Sequence, residues 1–162
     1  MNKLLIEQLS KKEFKQIVLE LGRKGLSLHI TKPKDVRLVK ANEKKIVFID
    51  KVPVLIWINN MYLPFVMAAD NFVGLKKVYV NKGAIKPILN GANIMRPGLT
   101  KWDSFTEGEI VAVYSEDYNT PIAIGISVMS SNLLNEMKRG KVIDNIHYIG
   151  DAYWKIATSV RL

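Results

Sequence analysis

From Asp35 to Ala68 the chain is a succession of short runs dense in Val, Ile, Phe and Tyr: "DVRLVK", "KKIVFID", "VPVLIWI" and "MYLPFVMA". No other feature constrains the fold as much. β-Branched and aromatic side chains suit a pleated, half-buried surface, and runs this short and close together leave no room for helices between them. The two asparagines of "INNM" join the last two runs. Asn tolerates the left-handed backbone that a two-residue hairpin requires, so a hairpin turn is expected there. An antiparallel sheet follows. Upstream, "LSKKEFKQIVLELGRKG" reads as a helix, with Ser10 and Glu13 at capping-box spacing and Leu9 and Phe14 placed to staple its start. Phe14, Ile17, Val18 and Leu21 then share one face, and Gly22 or Gly25 supplies the stop. A helix packed on the sheet completes a small first domain.

The chain has 162 residues, 48% of them apolar, which is enough for a real core in one domain or two small ones. Its formal charge is +9, with the excess leaning toward the N-terminal half. A basic balance of this size attracts polyanions, among which nucleic acid is the commonest partner, although a solvated lysine-rich surface gives the same count. The absence of cysteine excludes disulfides and thiolate zinc sites. The opening "MNKLLIEQLSKKEFK" is broken by charge every few residues, so it reads as neither signal peptide nor membrane span, and a cytoplasmic protein without a membrane partner is expected.

"AADNFVGLK" loses the alternating pattern and carries turn residues, which places a domain division near residue 75, giving 1–75 and 76–162. "MYLPFVMAADNF" could alternatively serve as an exposed docking segment for a protein partner. Beyond the division come "VNKGAIKPILNGANIMRPGLT", "EIVAVYS", the turn "EDYNTP", "PIAIGISVMS", a short helix over "SNLLNEMKRG" and a final "IHYIGDAYWKI". Ser131 would cap that helix, Gly140 would stop it, and its basic end "EMKRGK" would meet phosphate or complement the helix dipole. Roughly five short strands with two helical pieces suggest a strongly bent sheet closing as a small barrel. The fold class is therefore α+β.

The segment Val80–Thr100 contains no Ser, Cys, His, Asp or Glu, so it is built to present backbone and not to react. Gly83, Gly91 and Gly98 reach positive φ easily and let another molecule approach the main chain. Lys82, Lys86, Arg96 and Lys101 surround that backbone with positive charge for phosphates, and Trp102 offers a ring on which a base could stack. Ile85, Ile88, Leu89, Ile94 and Met95 read as core, and Trp57 and Trp154 as buried. His29 and His147 are expected to lack acidic partners at ligand spacing, and Asp151 to serve a turn or a cap. No catalytic residue, metal or cofactor is expected.

Taken in order, "VNKGAIKPILNGANIMRPGLT", "EGEIVAVYSE", "PIAIGIS" and "GDAYW" resemble the PUA domain, an RNA-binding module, over about Val78 to Trp154. The whole chain resembles the translation-factor family of the malignant T-cell amplified protein and its archaeal relatives, whose C-terminal "ENIHY" motif is close to "KVIDNIHYIGDAYW" here. The first half matches more weakly, as the family's pre-PUA domain. Two departures stand out: Asn81 replaces the usual Asp, and Pro87 falls inside the first helix of the module, which should begin late or be irregular. The resemblance implies an RNA surface made of the helix near Gly83, the "NGANIMRPG" loop and the last strand. Its candidate residues are Lys82, Gly83, Lys86, Gly91, Asn93, Arg96, Gly98, Lys101 and Trp102. It further implies tRNA (its acceptor end) or rRNA as partner, together with the small ribosomal subunit and an initiation-factor-like protein. The alternative is an accessory subunit of a pseudouridine synthase or transglycosylase. No "GRLD"-like catalytic motif is present, which favours the non-enzymatic reading.

Overall fold

The computed structural model describes residues 3–30 and 32–162. They form two compact units. One comprises the described residues up to Gly74 together with Ala152–Leu162, and the other comprises Leu75–Asp151.

The first unit opens with strand β1 (Leu4–Gln8), helix α1 (Lys11–Arg23) and the short β2 (Ser27–Leu28). It continues through β3 (Val36–Ala41), β4 (Lys44–Ile49), β5 (Val52–Ile58), β6 (Met61–Pro64), a 3-10 turn over Val66–Asn71 and β7 (Phe72–Val73). The main sheet runs β1-β3-β4-β5-β6, each neighbouring pair antiparallel. Asn59 and Asn60 sit at φ 52° and 60°, the left-handed pair that a tight hairpin turn needs, and Ile58 faces Met61 across it. Asp50 and Lys51 make the same kind of turn between β4 and β5, at φ 49° and 70°.

Ser10 caps α1, its Oγ accepting the Glu13 N–H at 3.1 Å and its hydroxyl donating to Glu13 Oε1 at 3.1 Å. Gly22 lies inside the helix and Gly25, at φ +78°, follows it. Ile17 and Leu21 are buried, while Val18 is 38% exposed, so the packed stripe is narrower than its spacing suggests. β1 was not read from the sequence. It is an edge strand, and its apolar Leu4, Leu5 and Ile6 are exposed. In "MYLPFVMAADNF", Met67 is the exposed apolar side chain, whereas Leu63, Phe65, Val66 and Phe72 are buried, so this segment is core and not a docking strip.

Helix α3 (Ala152–Ser159) also belongs to the first unit. The Tyr153 hydroxyl donates to the Trp57 carbonyl at 2.8 Å, and Trp154 stacks on Phe65 at 5.8 Å between centroids. The sequence division at 76–162 therefore assigned the last eleven residues to the wrong half, because Tyr153 and Ala157 give this helix an apolar face of its own to bury. Trp57 and Trp154 are half-buried, less than expected.

The second unit contains β8 (Lys76–Val80), helix α2 (Lys82–Ile88), β9 (Ile94–Met95), a 3-10 turn over Arg96–Gly98 and β10 (Leu99–Trp102). β11 (Ile110–Ser115), β12 (Thr120–Ser127) and β13 (Lys141–Tyr148) complete it. Its six strands run β10-β8-β11-β12-β13-β9, with β8 and β11 parallel. The two edge strands, β9 and β10, are separated in sequence only by Arg96–Gly98. Three residues span at most about 10 Å, so the sheet must curl until its edges nearly meet. This gives the bent, barrel-like form expected. Val78, Val111, Val113, Ile143 and Leu134 fill its interior. A Cβ on Gly125 in β12 would run into the Asp144 carbonyl oxygen and Ile143 Cγ2, so this strand can approach β13 only as glycine.

"SNLLNEMKRG" forms only a 3-10 turn over Ser131–Leu133, not the short helix expected. Ser131 caps nothing: its buried Oγ accepts the Phe105 N–H at 2.9 Å and donates to the Phe105 carbonyl at 3.1 Å. Leu134 is fully buried, and the Ser131 N–H donates to the Phe105 carbonyl at 2.9 Å, which ties the start of the segment to the loop before β11. Gly140, at φ +114°, does end the segment, but "EMKRGK" is no helix terminus.

Candidate nucleic-acid interface

α2 begins at Lys82, with Asn81 as its cap, the Asn81 Oδ1 accepting the Ala84 N–H at 3.1 Å. Asn and Asp cap equally well, so the departure from the usual Asp leaves the helix start intact. Pro87 lies in the last turn, where its missing N–H removes one bond. The helix does not start late. It is cut short at seven residues, and Leu89 N–H closes it on the Ile85 carbonyl at 2.9 Å.

The side of α2 bearing Gly83, Ala84 and Pro87 faces the loop of Asn93, Pro97 and Gly98 across a cleft of about 300 Å³. A Cβ on Gly98 would come 2.9 Å from the Ala84 Cβ, so glycine is what lets the loop close on the helix. The Asn81 N–H donates to the Gly98 carbonyl at 2.9 Å and pins that approach. Of the three glycines, only Gly91 uses positive φ, at +93°, packed 3.3 Å (as a Cβ would lie) from the Tyr148 hydroxyl. Gly83 has ordinary backbone and room around it. No residue lining the cleft is charged, and Met95, expected in the core, is 47% exposed at its rim.

Asn145 on β13 holds this loop, and sequence reasoning did not single it out. Its Nδ2 donates to the Ile88 carbonyl at 3.0 Å and to the Ala92 carbonyl at 2.9 Å. Its backbone N–H donates to Asn93 Oδ1 at 3.0 Å. Asn93 is thus partly spent on structure, and its amide hydrogens are the donors it retains. The signal was "IDNIHY", in which a polar Asn interrupts an apolar strand.

The expected cations do not share one surface. Lys82 and Lys86 lie on the other side of α2, with Ile85 and Leu89 between them at helical spacing, and line a separate groove with Asn90 and Tyr118. Arg96 turns inward: its Nε–H donates to the Leu134 carbonyl at 2.7 Å and Nη1 to the Leu99 carbonyl at 3.2 Å. Its guanidinium lies 5.0 Å from the centre of the Trp102 ring. Trp102 is half-buried against the core, so one face of the ring expected to stack on a base is covered by the protein's own arginine. Lys101 is exposed, with its ammonium 4.3 Å from the centre of Tyr79.

His147 does have an acidic neighbour, contrary to the expectation. Its Nδ1 lies 2.8 Å from Asp151 Oδ2, which also accepts the Tyr148 N–H at 3.1 Å. His147 is fully buried, so the pair clips the chain as it leaves β13, out of reach of a substrate. Among the described residues no group of three or more His, Cys, Asp or Glu could hold a metal, and no helix is long and apolar enough to cross a membrane.

Residues 76–149 match the PUA domain family. An uncharacterized protein of Methanocaldococcus jannaschii is 32% identical over 150 residues, which cover 90% of this chain and 93% of that one. Translation machinery-associated protein 20 of Eremothecium gossypii is 31% identical over 160 residues, covering 94% and 84%. Among solved structures, a PUA domain protein of Aeropyrum pernix K1 in complex with tartrate superposes with a TM-score of 0.84 at 29% identity, covering 96% of this chain and 92% of that one.

Proposed function

Since the chain belongs to the family of Translation machinery-associated protein 20 and the malignant T-cell-amplified proteins, we propose that it is a non-enzymatic cytoplasmic RNA-binding factor of translation that holds the acceptor end of tRNA at the small ribosomal subunit. A protein with an initiation-factor-like domain would be its partner there. The observation that carries this reading is the uncharged, mostly apolar cleft between α2 and the 92–98 loop, narrowed by the close approach of Gly98 to Ala84 and held by Asn145. Such a slot admits the flat base and ribose of one unpaired nucleotide and excludes a duplex, which matches the low end of small-ligand pocket sizes. The exposed Lys82, Lys86 and Lys101 supply phosphate contacts outside it. With Arg96 engaged internally, three lysines give a log–log salt slope of about −2 to −3.

The test is fluorescence anisotropy with an RNA hairpin carrying a short single-stranded 3′ tail. Met95→Glu puts a carboxylate at the rim of the cleft without disturbing the core. It should lower affinity about tenfold or more through repulsion of the phosphates. Lys11→Ala with Lys12→Ala, which removes charge from α1, should change affinity far less. Equal losses from both would reduce the binding to net charge. Incubation with bulk tRNA followed by nucleoside mass spectrometry should show no new nucleoside, and a time-dependent product would sink the non-enzymatic reading.

A further inference from the structure

The surface on the far side of α2 from the cleft has a composition that packing does not call for. Tyr118, in the turn between β11 and β12, is 73% exposed, in a sequence "EDYNT" where any small polar residue would serve. It faces Lys82, Ile85, Lys86, Leu89 and Asn90 across a groove of about 480 Å³. Ile85 and Leu89 are half-buried, their inner faces packed on the core and their outer edges forming an apolar floor. Two exposed ammonium groups stand on the helix side of that floor and an exposed phenol ring on the hairpin side. Glu116 and Asp117, on the same turn as Tyr118, are exposed and do not line the groove.

Resting on the RNA-binding reading above, we propose that this groove is a second nucleotide site, in which an unpaired base stacks on Tyr118 while its phosphates lie against Lys82 and Lys86. The chemistry is polarised to match. The lysines attract phosphate, and the carboxylates of Glu116 and Asp117 repel it, so the backbone runs along α2 and the base points toward the hairpin. An aromatic ring reads a base by its π face, which tolerates any sequence. α2 then becomes a wall shared by two sites, the cleft on its Gly83/Ala84/Pro87 side and the shelf on its Lys82/Lys86 side. A single strand passing over the end of a duplex could occupy both.

The experiment uses the full chain and two RNA hairpins, one blunt and one ending in a short adenosine tail, with Tyr118→Ala, Tyr118→Phe and Met95→Glu compared. Tyr118→Ala should lower affinity for the tailed hairpin about 5- to 150-fold, the range for loss of one base–aromatic stack. Tyr118→Phe should stay within about twofold, since the ring and not the hydroxyl does the stacking. The blunt hairpin should respond to neither. Because Tyr118 is exposed, melting temperatures should be unchanged, which separates binding from folding. If Tyr118→Ala binds the tailed hairpin as wild type does while Met95→Glu loses affinity, the shelf is refuted and the RNA-binding reading stands. Equal losses on tailed and blunt hairpins would also refute it, because the shelf would not be reading an unpaired base. Failure of the wild-type protein to bind either hairpin would overturn both readings together.

Discussion

The two sheets of this protein are built in opposite ways. In the first unit, β3, β4, β5 and β6 follow each other in sequence and in space, joined by turns of two residues, and none of these strands contains a glycine. In the second unit the sheet is closed by distant pieces: β8 pairs in parallel with β11, and the segment 80–102 supplies one helix and both edge strands. A glycine sits where β12 meets β13. The locally built sheet carries a recess of about 520 Å³ lined by Lys34, Asp35, Arg37, Asp50 and Lys51, where Asp35 pairs with Arg37 and Asp50 accepts the Lys34 and Asp35 N–H groups. The other carries the candidate cleft, between α2 and the loop that leads through edge strand β9 to Gly98. The candidate surface arises where a helix and a loop inserted between two strands leave space between them.

The sharpest way to break this comparison is Gly125→Val. A side chain there meets the backbone of β13 and should destabilise the protein by about 3 kcal/mol, the upper range for overpacking. Chemical denaturation measures it, and near-wild-type stability would mean the strands need no close approach. Next is Asn145→Ala, which leaves the Ile88 and Ala92 carbonyls without their donor. At roughly 0.5–1.5 kcal/mol per hydrogen bond the loss should be about 2 kcal/mol. Asn145→Asp should be no better, since its carboxylate cannot donate. RNA affinity should fall with stability in both, and retention of affinity would detach the cleft from binding.

Arg96→Ala should come third, at about 1.5 kcal/mol, from two lost hydrogen bonds to carbonyls and the lost contact with Trp102. Trp102 fluorescence should shift to the red as the ring is uncovered. Lys86→Ala, by contrast, should stay within about 0.5 kcal/mol. If the two variants were equally harmless to stability, Arg96 would be a surface cation after all. A smaller effect than that of Arg96→Ala is expected in the first unit, where Asn60→Ala forces alanine into left-handed backbone at about 1 kcal/mol and should leave RNA affinity unchanged.

What the sequence determined by itself is whatever a few neighbouring residues can settle. The Ser10 cap, the Asn59–Asn60 turn and the alternating runs between Asp35 and Ala68 all depend on backbone preference and on partners within one turn or one hairpin. The helix after Asn81 was legible for the same reason, although its length was not, because Pro87 can either delay a helix or shorten it. Edge strand β1 escaped notice because it buries nothing and so shows no alternation. The site residues fared unevenly. Their identities as cations, glycines and an aromatic could be read, but not which side of α2 each occupies or which are already engaged by their own chain.

Tertiary structure alone decided those points, since they turn on contacts between residues far apart in sequence. Asn145 reaches Ala92 across 53 positions, and Arg96 reaches Leu134 across 38. Tyr118 is drawn opposite Lys82 and Lys86 only because β11 lies beside β8, the strand that leads into α2. A guanidinium in solvent and one bound to two carbonyls have the same one-letter code, and only the fold distinguishes a charge that is free to meet a phosphate from one that holds a loop in place.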